Sequence, residues 1–267
     1  MGFANCQPWE VIRMTLREKA RLAEYAARKS GEMLEHHSAH NVMRKSENDF
    51  VSEMDFKSEA LIRDTLLSAC PDDGFFGEEY GGTLKASGRW IVDPIDGTVN
   101  YVRGQREYTV SIAYELDGTL VIGCVYCPGT DELFLAVRGE GATKNGVPIR
   151  VSGTTVLRNA LLNMGFGHRV PEHMKRTMAL LPELAAGVSD IRRSGSCAYD
   201  LCSIACGRSD GYAELGLSLY DYAGGYVILT EAGGKMTGWP GEASPFDTGN
   251  LVASNGLIHD ALMAFLK

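Results

Sequence analysis

Residues 90–101 read Trp-Ile-Val-Asp-Pro-Ile-Asp-Gly-Thr-Val-Asn-Tyr and hold the densest chemistry in the chain. An apolar strand runs into Asp93-Pro94-Ile95-Asp96-Gly97-Thr98. Pro94 stiffens the backbone and keeps Asp93 extended, so the two carboxylates can converge on one point with the Ile95 carbonyl between them. Two carboxylates and a carbonyl make a hard-oxygen set that suits Mg²⁺. Gly97 and Thr98 could then open a helix whose free amides receive a phosphate. The same residues also read as a strand end closed by an Asx turn and a helix cap, and alone they leave both readings open.

Two further motifs narrow the choice. Gly77-Glu78-Glu79 follows a short apolar strand upstream, and Asp221 opens the segment leading to Thr230-Glu231-Ala232-Gly233-Gly234. Taken together with Asn100, these motifs make the chain similar to the inositol monophosphatase family of lithium-sensitive, Mg²⁺-dependent phosphatases. They occur in the family's order and at similar spacing, and the resemblance covers essentially the whole chain.

The resemblance implies a role for each matched residue. Glu78, Asp93 and the Ile95 carbonyl match a first metal site, and Asp93, Asp96 and Asp221 a second, with a third, weaker Mg²⁺ shared with Glu78. Gly97 and Thr98 match the phosphate-binding turn. Asp55 and Thr98 match the pair that orients and deprotonates the attacking water, with Glu78 beside them as the third catalytic group. Glu214 matches a carboxylate that hydrogen-bonds substrate hydroxyls, and Gly195-Ser196-Cys197 a substrate-lining turn. A layered αβαβα sandwich, of the sugar-phosphatase or fructose-1,6-bisphosphatase-like type, and a homodimer are implied as well.

Several residues carry a plainer reading alongside. Asp55 sits three after Ser52 and could complete a capping box. Glu79 reads as a solvated neighbour, Glu231 with its glycine pair as a shaper of the following turn, and Asp200 and Asp210 as surface or capping acids. Lys45 reads as a loop cation, and Arg192 and Arg193 could reach an interface or the pocket. Val99-Asn100 leans toward an inositol-type or sugar phosphate, while Tyr220, Cys197 and Gly167-His168-Arg169 depart from the commoner family pattern. His168 or Arg169 could meet a second anionic group and so favour a bisphosphate. Fructose 1,6-bisphosphate, histidinol phosphate and a non-catalytic role beside the transcription machinery are the alternatives.

Several elements must position these residues. Apolar periodicity predicts helices over Trp9 to Glu35 and Ser52 to Ala69. Short strands follow, with Asp117-Gly118 and Asn145-Gly146 as hairpin turns, giving an N-terminal half (1–152) of helix pair plus antiparallel sheet. From 153 to 267 strands and helices alternate, an α/β texture. The whole reads as α/β with an α+β N-terminal half, and the absence of a low-complexity linker predicts that the two halves pack closely.

Composition sets the outer limits. The chain has 267 residues, 26 Lys+Arg against 34 Asp+Glu and a formal charge of −8. That balance argues against direct nucleic-acid binding. No uncharged run approaches the ~18 residues of a membrane span, and the N-terminus lacks a secretory pattern. Seven scattered cysteines fit reduced thiols in a cytoplasmic protein. Cys124 and Cys127 lie three apart in a predicted strand, on opposite faces, which argues against a shared zinc.

Overall fold

The computed structural model describes residues 14–36, 42–46, 49–83, 88–242 and 244–267. The start of the first predicted helix, together with His37, His40 and the Lys45 side chain, lies outside the described residues.

Two long helices form the first layer. α1 (Leu16–His36) and α2 (Glu53–Ala69) flank an antiparallel ribbon of β1 (Val42–Ser46) and β2 (Asp49–Ser52). Ala20, Ala23, Ala27 and Leu34 fall on one face of α1 and are buried, as the helical period requires. Ser52 caps α2 through the Met54 amide.

The second layer is an eight-stranded sheet. Its members are β3 (Gly74–Gly77), β4 (Gly81–Thr83), β5 (Gly88–Asp96), β6 (Thr109–Leu116), β7 (Thr119–Cys127), β8 (Glu132–Val137), β9 (Ala142–Lys144) and β10 (Val147–Pro148). They run in the order β10-β9-β8-β7-β6-β5-β3-β4. Asp117 and Asn145 adopt φ of 50° and 48°, each followed by a glycine at positive φ, so both predicted hairpin turns form. One pairing departs from the antiparallel expectation: β3 and β5 are parallel. The reason is that β4 folds back on the outer edge of β3, so the chain re-enters the sheet in the direction of β3.

Beyond that sheet come α5 (Cys197–Ala205) and α6 (Leu219–Glu231), then a five-stranded sheet. Its strands β11 (Leu161–Met164), β12 (Asp190–Arg192), β13 (Gly211–Glu214), β14 (Lys235–Gly238) and β15 (Leu251–Ser254) run β12-β11-β13-β15-β14. α4 (Pro171–Gly187) and α8 (His259–Phe265) cover its outer face through Leu184 and Leu262. Two short helices, α3 (Thr98–Val102) and α7 (Pro245–Thr248), lie in connections.

Three hydrophobic cores separate these layers. One joins α1 and α2 to the large sheet through Ile62, Leu66, Val92 and Ile112. The central one places α5 and α6 between the sheets through Ile91, Leu201, Ile228 and Ala253. The third lies under α4 and α8. This is the αβαβα arrangement. α6 sits very close to the large sheet, because a Cβ on Gly123 of β7 would come within 2.3 Å of the Gly224 carbonyl oxygen. α6 also packs across β6 and β5, and its first turn meets the Asp93–Asp96 end of β5.

Candidate active site

Asp93 and Asp96 are three apart, so on a regular strand they would face opposite ways. The pairing with β6 steps from Asp93↔Ser111 to Asp96↔Thr109, three residues against two. β5 therefore carries a bulge at Pro94, which has no amide to give to the ladder. The inserted residue restores parity: Ile95 turns into the core under α1 and α2, and Asp96 joins Asp93 on the side facing α6. The Ile95 amide donates to Asp93 Oδ1 at 3.0 Å, so the Asx turn is present as part of the site.

Asp221 arrives from the first turn of α6. The Ser218 amide donates to Asp221 Oδ2 at 2.6 Å, a capping arrangement that fixes the carboxylate. Asp93, Asp96 and Asp221 then present oxygens that all lie within 4.8 Å of one another. Glu78 and the Ile95 residue line the same cavity of about 250 Å³, as do Gly97, Thr98 and Asn100.

Burial followed by the charge of Glu78 pushes the Asp93 carboxyl well above the usual carboxylate range. Burial also raises Asp96, against the hydrogen bonds from Ser196 and Ala198 that favour its charged form. Asp221 is raised by burial, with Arg169 opposing; Arg169 Nη1 lies 3.9 Å from Asp221 Oδ2. Crowded hard carboxylates in a shielded place are disfavoured as bare anions, and this donor set fits a divalent cation.

Asp96 ties the two sheets' neighbourhoods together. Its Oδ2 accepts from Ser196 Oγ at 2.6 Å and from the Ala198 amide at 2.7 Å. The Gly195-Ser196-Cys197 turn thus reaches the site through Asp96, and Asn100 Nδ2 secures it by donating to the Ser194 carbonyl at 2.9 Å. Gly97 sits at φ 92°, a left-handed conformation that favours glycine, and it turns the chain from β5 into α3.

Asp55 has both of its expected relationships. Its Oδ2 accepts from the Ser52 amide and hydroxyl at 2.8 and 2.7 Å. Its Oδ1 accepts from Thr98 Oγ1 at 3.0 Å. Burial raises its pKa to about 6, with Ser52 and Thr98 holding it down and Glu78 pushing it up. Glu214 comes from β13 and lines an adjoining cleft with Asp96, Asp221, His168, Arg169, Arg193 and Cys197.

Some readings are corrected. Asp200 and Asp210 are not surface acids: they are 3% and 6% exposed. Asp210 accepts from the Leu161 amide at 2.7 Å and so anchors β11, while Asp200 lines the cleft. The Glu231 carboxylate does not hold the turn after α6 but a different one: it accepts from the Gly139 and Gly141 amides at 2.9 Å each and pins the connection between β8 and β9. Cys124 and Cys127 are both buried, and Cys127 Sγ donates to the Arg106 carbonyl. Arg193 reaches the pocket, its guanidinium 5.2 Å from the Phe166 ring centroid, whereas Arg192 pairs with Asp190 at 2.6 Å.

Glu59 escaped sequence reasoning. It is fully buried, and its carboxylate accepts from the Glu79 and Tyr80 amides at 2.7 and 3.0 Å. It therefore holds the Gly77-Glu78-Glu79 loop in place. A mid-helix glutamate is ordinarily solvated, and only a signal that α2 faces this loop could have marked it. The Ser218–Asp221 spacing is a capping signature visible in the sequence.

No helix among the described residues is long and apolar enough to cross a membrane. The profile of the inositol monophosphatase family matches residues 15–266. A Vibrio cholerae relative named Nus factor SuhB is 39% identical over 88% of this chain and 90% of its own length. An inositol-1-monophosphatase of Mesorhizobium japonicum is 40% identical over 85% and 86%. The crystal structure of the extragenic suppressor protein suhB from Bartonella henselae superposes with a TM-score of 0.89 at 37% identity, over 93% of this chain and 98% of that one. With its profile match spanning all five layers and the site between them, the chain belongs to the inositol monophosphatase family.

Proposed function

We propose that the protein hydrolyses a phosphate monoester, with inositol monophosphate as the preferred substrate and Mg²⁺ as the cofactor. One observation carries the reading: the triad Asp93, Asp96 and Asp221 opens onto the same cavity as Thr98, whose hydroxyl donates to Asp55. In this reading Glu78, Asp93 and the Ile95 carbonyl hold one cation, and Asp93, Asp96 and Asp221 a second, with a third shared with Glu78. Divalent cations bound there would lower the pKa of a water and stabilise the leaving oxygen.

The chain's own groups do the rest. Thr98 Oγ1 donates a hydrogen bond to Asp55, which leaves the hydroxyl's lone pairs to accept from a water and orient it. Asp55 is a base with a pKa near the operating range, as general-base work requires. The amides of the Gly97–Thr98 turn receive the phosphate. Glu214 and the Gly195-Ser196-Cys197 turn contact the polyol. Inhibition by Li⁺, a cytoplasmic location and a homodimer belong to the same reading, the last checked by light scattering.

The test is phosphate release from inositol 1-phosphate, fructose 1,6-bisphosphate, histidinol phosphate and 3′-phosphoadenosine phosphate, with and without Mg²⁺ and Li⁺. Mg²⁺-dependent turnover, fastest for inositol 1-phosphate, is expected. No turnover of any of them sinks the reading. A second reading rests on the relative named Nus factor SuhB: a partner role in the transcription machinery. An Asp93→Asn variant that loses activity but keeps the cellular phenotype favours it.

A further inference from the structure

We propose that the Tyr212 hydroxyl and the bare backbone of Gly165 position Glu214 as a fixed acceptor for a substrate hydroxyl, selecting polyol phosphates over simple phosphate esters; this rests on the phosphatase reading above. Tyr212 and Glu214 stand two apart on β13, so both side chains leave the same face of the sheet. Ala213 between them points into the opposite, outer core. Tyr212 is 1% exposed with its ring in the central core, and its hydroxyl donates to Glu214 Oε2. The Gly167 amide donates to the other oxygen, Oε1, at 3.3 Å. The carboxylate is thus held at both oxygens.

Gly165 supplies the space. A Cβ there would lie 1.8 Å from the Glu214 carboxyl carbon and 1.9 and 2.3 Å from its oxygens. No side chain at 165 is compatible with this position of Glu214. Burial pushes the Tyr212 hydroxyl well above its ordinary range, so it remains a donor, and Glu214 is left to accept. A carboxylate offers about four lone-pair sites; two are used by Tyr212 and Gly167, which leaves acceptor capacity on a carboxylate that lines the cleft with Cys197 and Asp221.

Two physical consequences follow for specificity. An unrestrained glutamate loses rotamer freedom when it binds, whereas this one is already ordered, which favours a ligand that needs it. A phosphate ester with no hydroxyl at that point leaves a half-buried acceptor without its partner, which costs affinity for that ester. Tyr212 touches no reacting atom in this scheme. It is a positioning residue.

The experiment compares wild type, Tyr212→Phe and Gly165→Ala on inositol 1-phosphate and on p-nitrophenyl phosphate, both with Mg²⁺. Tyr212→Phe keeps the ring and its packing. It is expected to lower the ratio of kcat/KM for inositol 1-phosphate over p-nitrophenyl phosphate by about tenfold, through KM more than kcat. Gly165→Ala, which displaces the same carboxylate from the other side, is expected to lower that ratio similarly, and the double variant to add little. An unchanged ratio in Tyr212→Phe, or equal losses on both substrates, overturns the proposal. A wild type inert toward both esters overturns the phosphatase reading instead. Crystal structures of wild type and Tyr212→Phe then still decide the clamp: Glu214 is expected to leave its position in the variant, and an unmoved Glu214 refutes it.

Discussion

The Thr98 hydroxyl donates to Asp55 Oδ1 at 3.0 Å while the other oxygen of the same carboxylate accepts from the Ser52 amide at 2.8 Å. One side chain therefore closes the first turn of α2 and reaches the end of β5. The acid that stabilises a helix terminus is also the acid that would move a proton, so stability and activity share it.

Replacing Asp55 separates the two roles. Asp55→Asn retains an oxygen for the Ser52 amide and loses the carboxylate facing Thr98. We expect kcat to fall by ~10²–10⁴, the usual contribution of a positioned acid or base. Ser52→Ala removes the hydroxyl cap and is expected to cost about 1 kcal/mol of stability with a far smaller loss of kcat. Phosphate-release kinetics and thermal melts on both variants check this; equal kcat losses would contradict it.

The three clustered acids tie stability to pH. Asp93, Asp96 and Asp221 are all raised, in each case chiefly by burial. Acids raised in the folded state bind more protons there than in the unfolded chain, so metal-free stability falls as pH rises through their folded pKa values. In chelator, the contribution of these three acids should therefore turn more favourable as pH drops from neutral toward the ordinary carboxylate range of ~4, opposite in sign to the contribution of His259 over the same interval and separated from it by comparing wild type with Asp93→Asn. Excess Mg²⁺ should remove that trend and raise Tm at neutral pH. Asp93→Asn should melt higher than wild type in chelator and gain less from Mg²⁺. Melting curves across pH with and without Mg²⁺ decide the matter, as does hydrogen exchange of residues 74–100, which should slow on Mg²⁺ addition.

Ser196 tests the link from α5 to the site. Its hydroxyl donates to Asp96 Oδ2 at 2.6 Å and also accepts from the Tyr199 amide at the start of α5. Groups that orient a ligating carboxylate are worth ~10–100-fold in metal affinity. Ser196→Ala should weaken Mg²⁺ activation by about that factor, and saturating Mg²⁺ should restore most of kcat. Titration of activity against Mg²⁺ gives the answer, and an unchanged activation constant would rule the role out.

His259 predicts acid sensitivity far from the site. The ring is 1% exposed and bridges Ser254 Oγ at 2.9 Å and Thr237 Oγ1 at 3.0 Å. Burial, assisted by Lys235, lowers its pKa from 6.5 to about 4. Between those values the unfolded state binds more protons, so stability is lost as pH falls from ~6.5 and the loss levels off below about 4. The loss is on the order of 3 kcal/mol. His259→Gln should flatten this acid slope even if it lowers stability at neutral pH, as read by urea unfolding at several pH values.

Much of the architecture was legible because local rules agree with it. Ser52 and Pro71 bracket α2, Asp117-Gly118 and Asn145-Gly146 make the tight turns their backbone freedom allows, and alanines at helical spacing mark the buried face of α1. The burial of Asp200, Asp210 and Glu59 is not legible in the sequence, for the opposite reason. Acids are ordinarily solvated, and burial depends on which element packs against which.

The sequence by itself determined the acids, their order and the local devices that aim them: the Asp-Pro-Ile-Asp-Gly-Thr run, the caps at Ser52 and Ser218, and the glycine at 97. Only the tertiary structure decided that Asp93 and Asp96 face the same way, because that depends on a bulge set by pairing with β6. It alone decided, too, that Asp221, 125 residues after Asp96 in the chain (221 − 96), stands within 4.8 Å of both. The physical reason is that a carboxylate's type and turn are local properties. Its neighbours are set by how α6 lies against the sheet, and that is decided by packing at Gly123 and Gly224.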